Sequence, residues 1–121
     1  MSIVLVATGS IVLSVFAQFL LKAGMSSVEV KIALSEPFEI YNGVAVLLNP
    51  KVFAGLALYG LGAVIWLAVL ARWDVSKAYP LVGLGFALTV IVGFFVGEQV
   101  TLMRTLGVVL ICAGVLVVSQ S

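Results

Sequence analysis

The sequence predicts an all-α integral membrane protein with four transmembrane helices, and three observations predict it. Hydrophobic residues fill 64% of the 121 positions and charged residues only 9%, against roughly 25% charged in a soluble domain. Four runs of 15 to 20 residues carry no formal charge, and Lys, Arg or Glu brackets the inner ends of each. Two of the three connections between these runs are tight and polar, which makes the last three helices antiparallel neighbours. Three Pro, 12 Gly without a period and a single Cys exclude collagen-like, disordered and disulfide-stapled chains. Six Lys/Arg against five Asp/Glu leave no basic face, so nucleic acid is not a partner.

A helical span needs about 20 apolar residues. Residues 3–21 give the first, ended by Lys22. Met1-Ser2 carries no basic region and no small-residue cleavage site follows, so the run reads as a retained helix and not as a leader. Residues 52–71 lie between Lys51 and Arg72, and residues 78–97 between Lys77 and Glu98. The last uncharged run, 105–119, becomes a span of 102–119 if Arg104 reaches the headgroups. The expected architecture is one domain over residues 1–121, with no room for a soluble unit.

The connection 22–51 is long and mixed, with Glu29, Lys31, Glu36 and Glu39 among apolar residues. It is expected to be an ordered interfacial loop, broken at Pro37 and at Asn49-Pro50. Its apolar stretch Tyr41–Leu48 is too short to span. Lys22, Lys31, Lys51 and Arg104 fall on one side, Arg72 and Lys77 with both termini on the other. Positive-inside counting puts the termini outside. So small a bias also permits insertion in both directions.

Polar residues inside the spans mark candidate sites. Ser10, Ser14, Gln18 and Lys22 are four residues apart, a stripe that drifts slowly around the first helix. Ser10 reads as a small packing residue; Gln18 needs partners for its amide. Gly55, Tyr59, Gly62 and Trp66 repeat the theme on the second helix, glycines for close packing and aromatics for cavity walls. The third helix opens with Lys77-Ala78-Tyr79-Pro80 and carries Gly93 and Gly97 as a small-xxx-small pair. Glu98 and Arg104 are expected to pair at the surface. Gly107 and Gly114 share one stripe of the smooth fourth helix, a candidate dimer face, and Cys112 is a small apolar filler. The sequence has no His and no acid inside any span, so no metal site, nucleophile–base pair or cofactor cradle can be assembled. An enzyme is not expected.

Ala78-Tyr79, Leu20-Leu21-Lys22 and residues 110–116 resemble the four-helix small multidrug resistance branch of the EamA-like drug/metabolite transporter superfamily. The branch's proton- and drug-binding glutamate, eight residues before that lysine, corresponds to Ser14. A closer resemblance is to the small flippase subunits that move aminoarabinose-phosphoundecaprenol across the bacterial inner membrane. It is carried by Leu13-Ser14-Val15-Phe16-Ala17-Gln18, Trp66-Leu67-Ala68-Val69-Leu70, Ala78-Tyr79-Pro80-Leu81, Glu98-Gln99-Val100 and Arg104-Thr105-Leu106-Gly107. The connection 22–51 is longer than in either group, and Gly83 and Gly85 replace more polar residues.

The resemblance implies one half of a dimeric transporter, paired with itself or with a similar small membrane protein. The fourth helix would make the contact and the first three would line a groove. The expected function is translocation of a polyprenyl-phosphate sugar. Lys22, Arg72, Lys77 and Arg104 supply cations near helix ends. Ser14, Gln18, Tyr59 and Tyr79 offer neutral hydrogen bonds deeper in, and Trp66 an aromatic wall. The alternatives are a small-solute or cation exporter, which would want a buried acid, and a non-transporting accessory subunit.

Overall fold

The computed structural model describes residues 2–35 and 39–121, so the expected break at Pro37, and Glu36 beside it, lie outside the described residues. Helix α1 (Ile3–Met25) starts where the extended Ser2 accepts the Val4 N–H on its hydroxyl at 3.3 Å. It continues past Lys22, at which the sequence reading ends the span. A cation in the last turn suits the carbonyl-rich end of a helix, so the charge does not stop it. The Ser27 hydroxyl then donates to the Gly24 carbonyl at 2.7 Å and accepts the Val30 N–H at 3.4 Å, joining the end of α1 to the start of the next helix.

The expected loop 22–51 is largely helical. Helices α2 (Val28–Ser35) and α3 (Ile40–Leu48) occupy it and pack on each other. Asn49 ends α3 and caps the next helix, accepting the N–H groups of Lys51 and Val52 at 3.1 and 3.3 Å. With Pro50 at its first position, where no N–H is needed, α4 runs Pro50–Leu70.

The third span is not one regular helix. Helix α5 (Val75–Ala78) leads into a 3-10 turn, Tyr79–Val82, and then into α6 (Gly83–Phe95). Pro80 explains the break, because it has no N–H to give Ser76 and its ring crowds that carbonyl. At the other end Gly97 adopts φ +94°, the Gly97 N–H donates to Phe94 at 3.3 Å, and the Glu98 N–H to Gly93 at 2.9 Å. This is a Schellman stop. Gly97 is therefore a helix terminator, and the atoms nearest to a Cβ on Gly93 would be those of the Glu98 carboxylate, at 3.3–3.4 Å. Within this chain neither glycine has another helix as its nearest neighbour. Helix α7 (Leu102–Ser119) begins at Thr101, whose hydroxyl accepts the Arg104 N–H at 3.1 Å.

Four segments are long and apolar enough to cross a membrane: Ile3–Met25, Pro50–Leu70, Val75–Phe95 and Leu102–Ser119. The closest pairing is α1 with α4. Ala7, Ser10, Ala17 and Gly24 are buried on α1, and Val52, Gly55, Gly62 and Val69 on α4. Each set is spaced three, seven and seven along its chain, the heptad period of a coiled-coil seam. Gly24 lies against Val52, Gly55 against Leu21 and Gly62 against Ser10, in reversed order along the two chains.

Glycines also place α6. A Cβ on Gly85 would stand 2.9 Å from Ile11 of α1, and one on Gly83 2.9 Å from Ile111 of α7. Two residues apart, these face opposite sides of the helix. The spans thus follow the order α4–α1–α6–α7, with α7 outermost and Val115 its one buried residue.

Candidate functional site

Helices α4 and α6 both pack on α1 more than on each other, and a cavity of about 670 Å³ lies between the three. Helix α1 forms its floor with Ser10, Ser14 and Gln18, beside Ile11 and Val15. Helix α4 contributes Tyr59, Trp66 and Leu67 as one wall, with Gly62 and Ala63 leaving the space between them. The opposite wall is Tyr79 and Val82 from the 3-10 turn and Gly85, Phe86 and Thr89 from α6. The side facing away from α1 lies between two helices and is open at the surface of the chain.

Five of the residues singled out from sequence meet here: Ser14, Gln18, Tyr59, Trp66 and Tyr79. Two neighbouring hydroxyls are already engaged. The buried Ser10 donates to the Gly62 carbonyl at 2.6 Å, and Thr89 donates to the Gly85 carbonyl at 2.8 Å. No side chain of the five is hydrogen-bonded among the described residues, which leaves their donors and acceptors free for a ligand. The lining carries no formal charge. It is an apolar hollow with a few polar groups, within the roughly 300–1,000 Å³ typical of small-molecule sites.

The four cations named from sequence, Lys22, Arg72, Lys77 and Arg104, all stand apart from its lining. Lys22 is exposed, about 6 Å along α1 beyond Gln18 by the rise of four residues. The Lys77 ammonium sits over the Trp73 ring, 4.8 Å from its centroid. Trp73 and Trp66 pack in turn on the buried cluster of Ala7, Val69 and Ala78. Arg104 donates from Nη1 to the Gln99 carbonyl at 2.7 Å, and among the described residues it makes no ion pair with Glu98. Gly107 and Gly114 lie on α7, away from the cavity, with open space where a Cβ would be.

The sequence reading passed over Thr89, Phe86, Val82 and Ala63. Thr89 had a usable signal, as a hydroxyl deep in an apolar span. The others are ordinary membrane residues that only the convergence of three helices assigns to a wall.

No protein-family model matches the chain. No solved structure matches it. Among curated proteins, the chain is 34% identical over 119 residues to the probable 4-amino-4-deoxy-L-arabinose-phosphoundecaprenol flippase subunit ArnF of Proteus mirabilis, covering 94% of this chain and 89% of that protein. It is 43% identical over 79 residues to the probable subunit ArnE of a flippase for the same lipid in Pseudomonas savastanoi pv. phaseolicola, covering 64% of this chain and 69% of that one. The first alignment runs through all four spans. The chain therefore belongs to the family of 4-amino-4-deoxy-L-arabinose-phosphoundecaprenol flippase subunits.

Proposed function

We propose that this chain translocates a lipid-linked substrate, a polyprenyl phosphate carrying a sugar, across the bacterial inner membrane. The observation that carries the reading is the open cavity between α1, α4 and α6, with its five unengaged polar or aromatic-polar side chains. A sugar crossing a bilayer must exchange its hydration for other hydrogen bonds. Ser14, Gln18, Tyr59, Trp66 and Tyr79 offer such bonds along a wall, while the isoprenoid tail stays in lipid. The phosphate, far more costly to bury, is met by Lys22 at the mouth beyond Gln18; Lys77 and Arg104 serve the opposite mouth and the outer rim. The relatives' names, subunits of a flippase for such a lipid, support the same class of substrate.

The working unit is a dimer, with a second copy or with a similar small membrane protein. Helix α7 is its contact, because its outer face is almost wholly apolar and unpacked. A partner there leaves the mouth of the cavity accessible to lipid.

Transport of a radiolabelled polyprenyl-phosphate sugar into proteoliposomes tests the reading. Gln18→Leu keeps bulk and helix propensity but removes both donor and acceptor. It should insert and dimerise normally while transport falls several-fold, on the order of one lost hydrogen bond to substrate or more. Normal transport by the well-folded variant would move the site off α1, and absence of transport by the parent chain with its partner would reject the flippase reading.

A further inference from the structure

We infer that the apolar face of α3 lies in the headgroup–acyl boundary of the bilayer, holding the α2–α3 pair against the membrane at the end of the bundle that carries Lys22 and Lys51. The placement depends on the four spans and not on what they transport. Helix α3 has nine residues, which rise about 13 Å. That is under half of the roughly 30 Å hydrocarbon thickness, so it cannot cross. Asn49 separates it from α4 with φ −56° and ψ 128°, outside helical geometry. Helix α3 therefore does not continue the axis of the span.

No charge falls between Ile40 and Leu48. Ile40, Tyr41, Val44, Leu47 and Leu48 lie within an arc of about 120° on the helix, and all five are 47–81% exposed. The other side carries Asn42, Gly43 and Val46, all half-buried. Val46 shares a small hollow with Val30 and Ala33 of α2, and the two helices pack chiefly on each other. Among the described residues, the charges of the pair are Glu29 and Lys31 on α2 and Glu39 just before α3, all exposed. Helix α3 thus presents one apolar face, and α2 behind it carries charge for water.

The neighbouring lysines set the depth. Lys22 stands in the last turn of α1 and Lys51 in the first turn of α4, both exposed. Gly24 packs against Val52, so these two ends are side by side. Lysines at span ends reach for the headgroups, and α3 leaves α4 at the level they mark. The span it leads into exposes Phe53 and Leu56 within its first two turns, so apolar surface lies on either side of Asn49. Tyr41, an aromatic ring with a polar end, suits the same boundary. An amphipathic helix there buries its apolar face about 5–10 Å deep.

Spin labels read the placement. On a Cys112→Ser background, Val44→Cys, Leu48→Cys, Lys31→Cys and Leu61→Cys are each labelled with a nitroxide in the full-length chain. The protein is reconstituted in vesicles of phosphatidylethanolamine and phosphatidylglycerol. Collision with oxygen, which concentrates in lipid, is compared with collision with a water-soluble nickel chelate. Position 61, 52% exposed near the middle of α4, calibrates lipid, and position 31 calibrates water. Labels at 44 and 48 should favour oxygen over nickel several-fold more than the label at 31, at a depth shallower than 61. Tyr41→Cys, on the same face, replaces either variant that fails to fold by circular dichroism. Nickel access equal to that at 31 overturns the inference, because the face then lies in water. Poor access to both reagents overturns it too, since a second copy or another protein then covers the face. So does a depth equal to that of 61, which would make α3 a re-entrant segment.

Discussion

The hydroxyl of Ser10 donates to the carbonyl of Gly62 at 2.6 Å, a buried bond between α1 and α4 at one edge of the cavity. It exists because position 62 has no side chain. A Cβ there would stand 3.3 Å from both the Ser10 carbonyl and the Ser14 hydroxyl. Packing and polar pairing are thus one feature at this edge of the cavity.

Ser10→Ala should lower stability by about 0.6–1.5 kcal/mol, the usual range for an interhelical hydrogen bond in lipid and for a buried one generally. Gly62→Val should cost more, since both the bond and the approach are lost. Unfolding in mixed micelles followed by circular dichroism measures both. A neutral Ser10→Ala would show that the bond contributes nothing net.

The α1–α4 seam makes a sharper comparison among three glycines of similar sequence context. A Cβ at Gly24 would lie 2.6 Å from a Val52 methyl and 2.8 Å from its backbone nitrogen, and one at Gly55 2.8 Å from Leu21; at Gly60 nothing stands within 4 Å. Gly24→Ala and Gly55→Ala should therefore destabilise by about 1–3 kcal/mol through overpacking. Gly60→Ala should be neutral or stabilising, by up to about 1 kcal/mol of helix propensity. The same unfolding assay ranks them, and a reversed order would contradict the seam.

Helix α7 gives a test of assembly. Gly107 and Gly114 face open space within the protomer, so Leu at either should leave insertion and fold intact. If this stripe is the dimer contact, two bulky side chains would hold the partners apart, since packing supplies most helix association in lipid. Crosslinking yield and oligomer mass should both drop. Unchanged values in both variants would move the interface elsewhere on α7.

Lys22 should act through charge. Lys22→Gln should weaken capture of a phosphate-bearing lipid, and the difference from the parent should be largest at low salt. Raising ionic strength shortens the reach of a surface charge, to roughly 8 Å at 0.15 M. Apparent affinity measured across a salt series checks this, and a loss independent of salt would mean that Lys22 serves structure.

Transport should depend little on an imposed proton gradient, because no acid lies inside the four spans that a proton could load. Accumulation that follows the gradient in proteoliposomes would mean that Asp74 or Glu98 enters the pathway.

Much of this protein was legible in its residues because a bilayer restricts what a chain can do. Backbone groups cannot be left unpaired in lipid, so an uncharged run of about 20 residues has to be a helix. That reasoning places four spans, and the four-residue stripe of Ser14 and Gln18 marks the polar face of the first. It does not tell a span's end from a charge that the helix tolerates, and so it stopped α1 at Lys22 and carried the third span through Gly97. Local hydrogen bonding decides those ends: the Ser27 link, and the stop at Gly97 with its positive φ. Nor does it assign partners. Gly55 and Tyr59 share one stripe by spacing, yet one lies against α1 and the other lines the cavity. The cavity itself belongs to the tertiary structure alone. It arises because α4 and α6 each use glycines to lie close to α1, and two helices held that close to a third leave a gap between themselves that only side chains such as Tyr59, Trp66 and Tyr79 line.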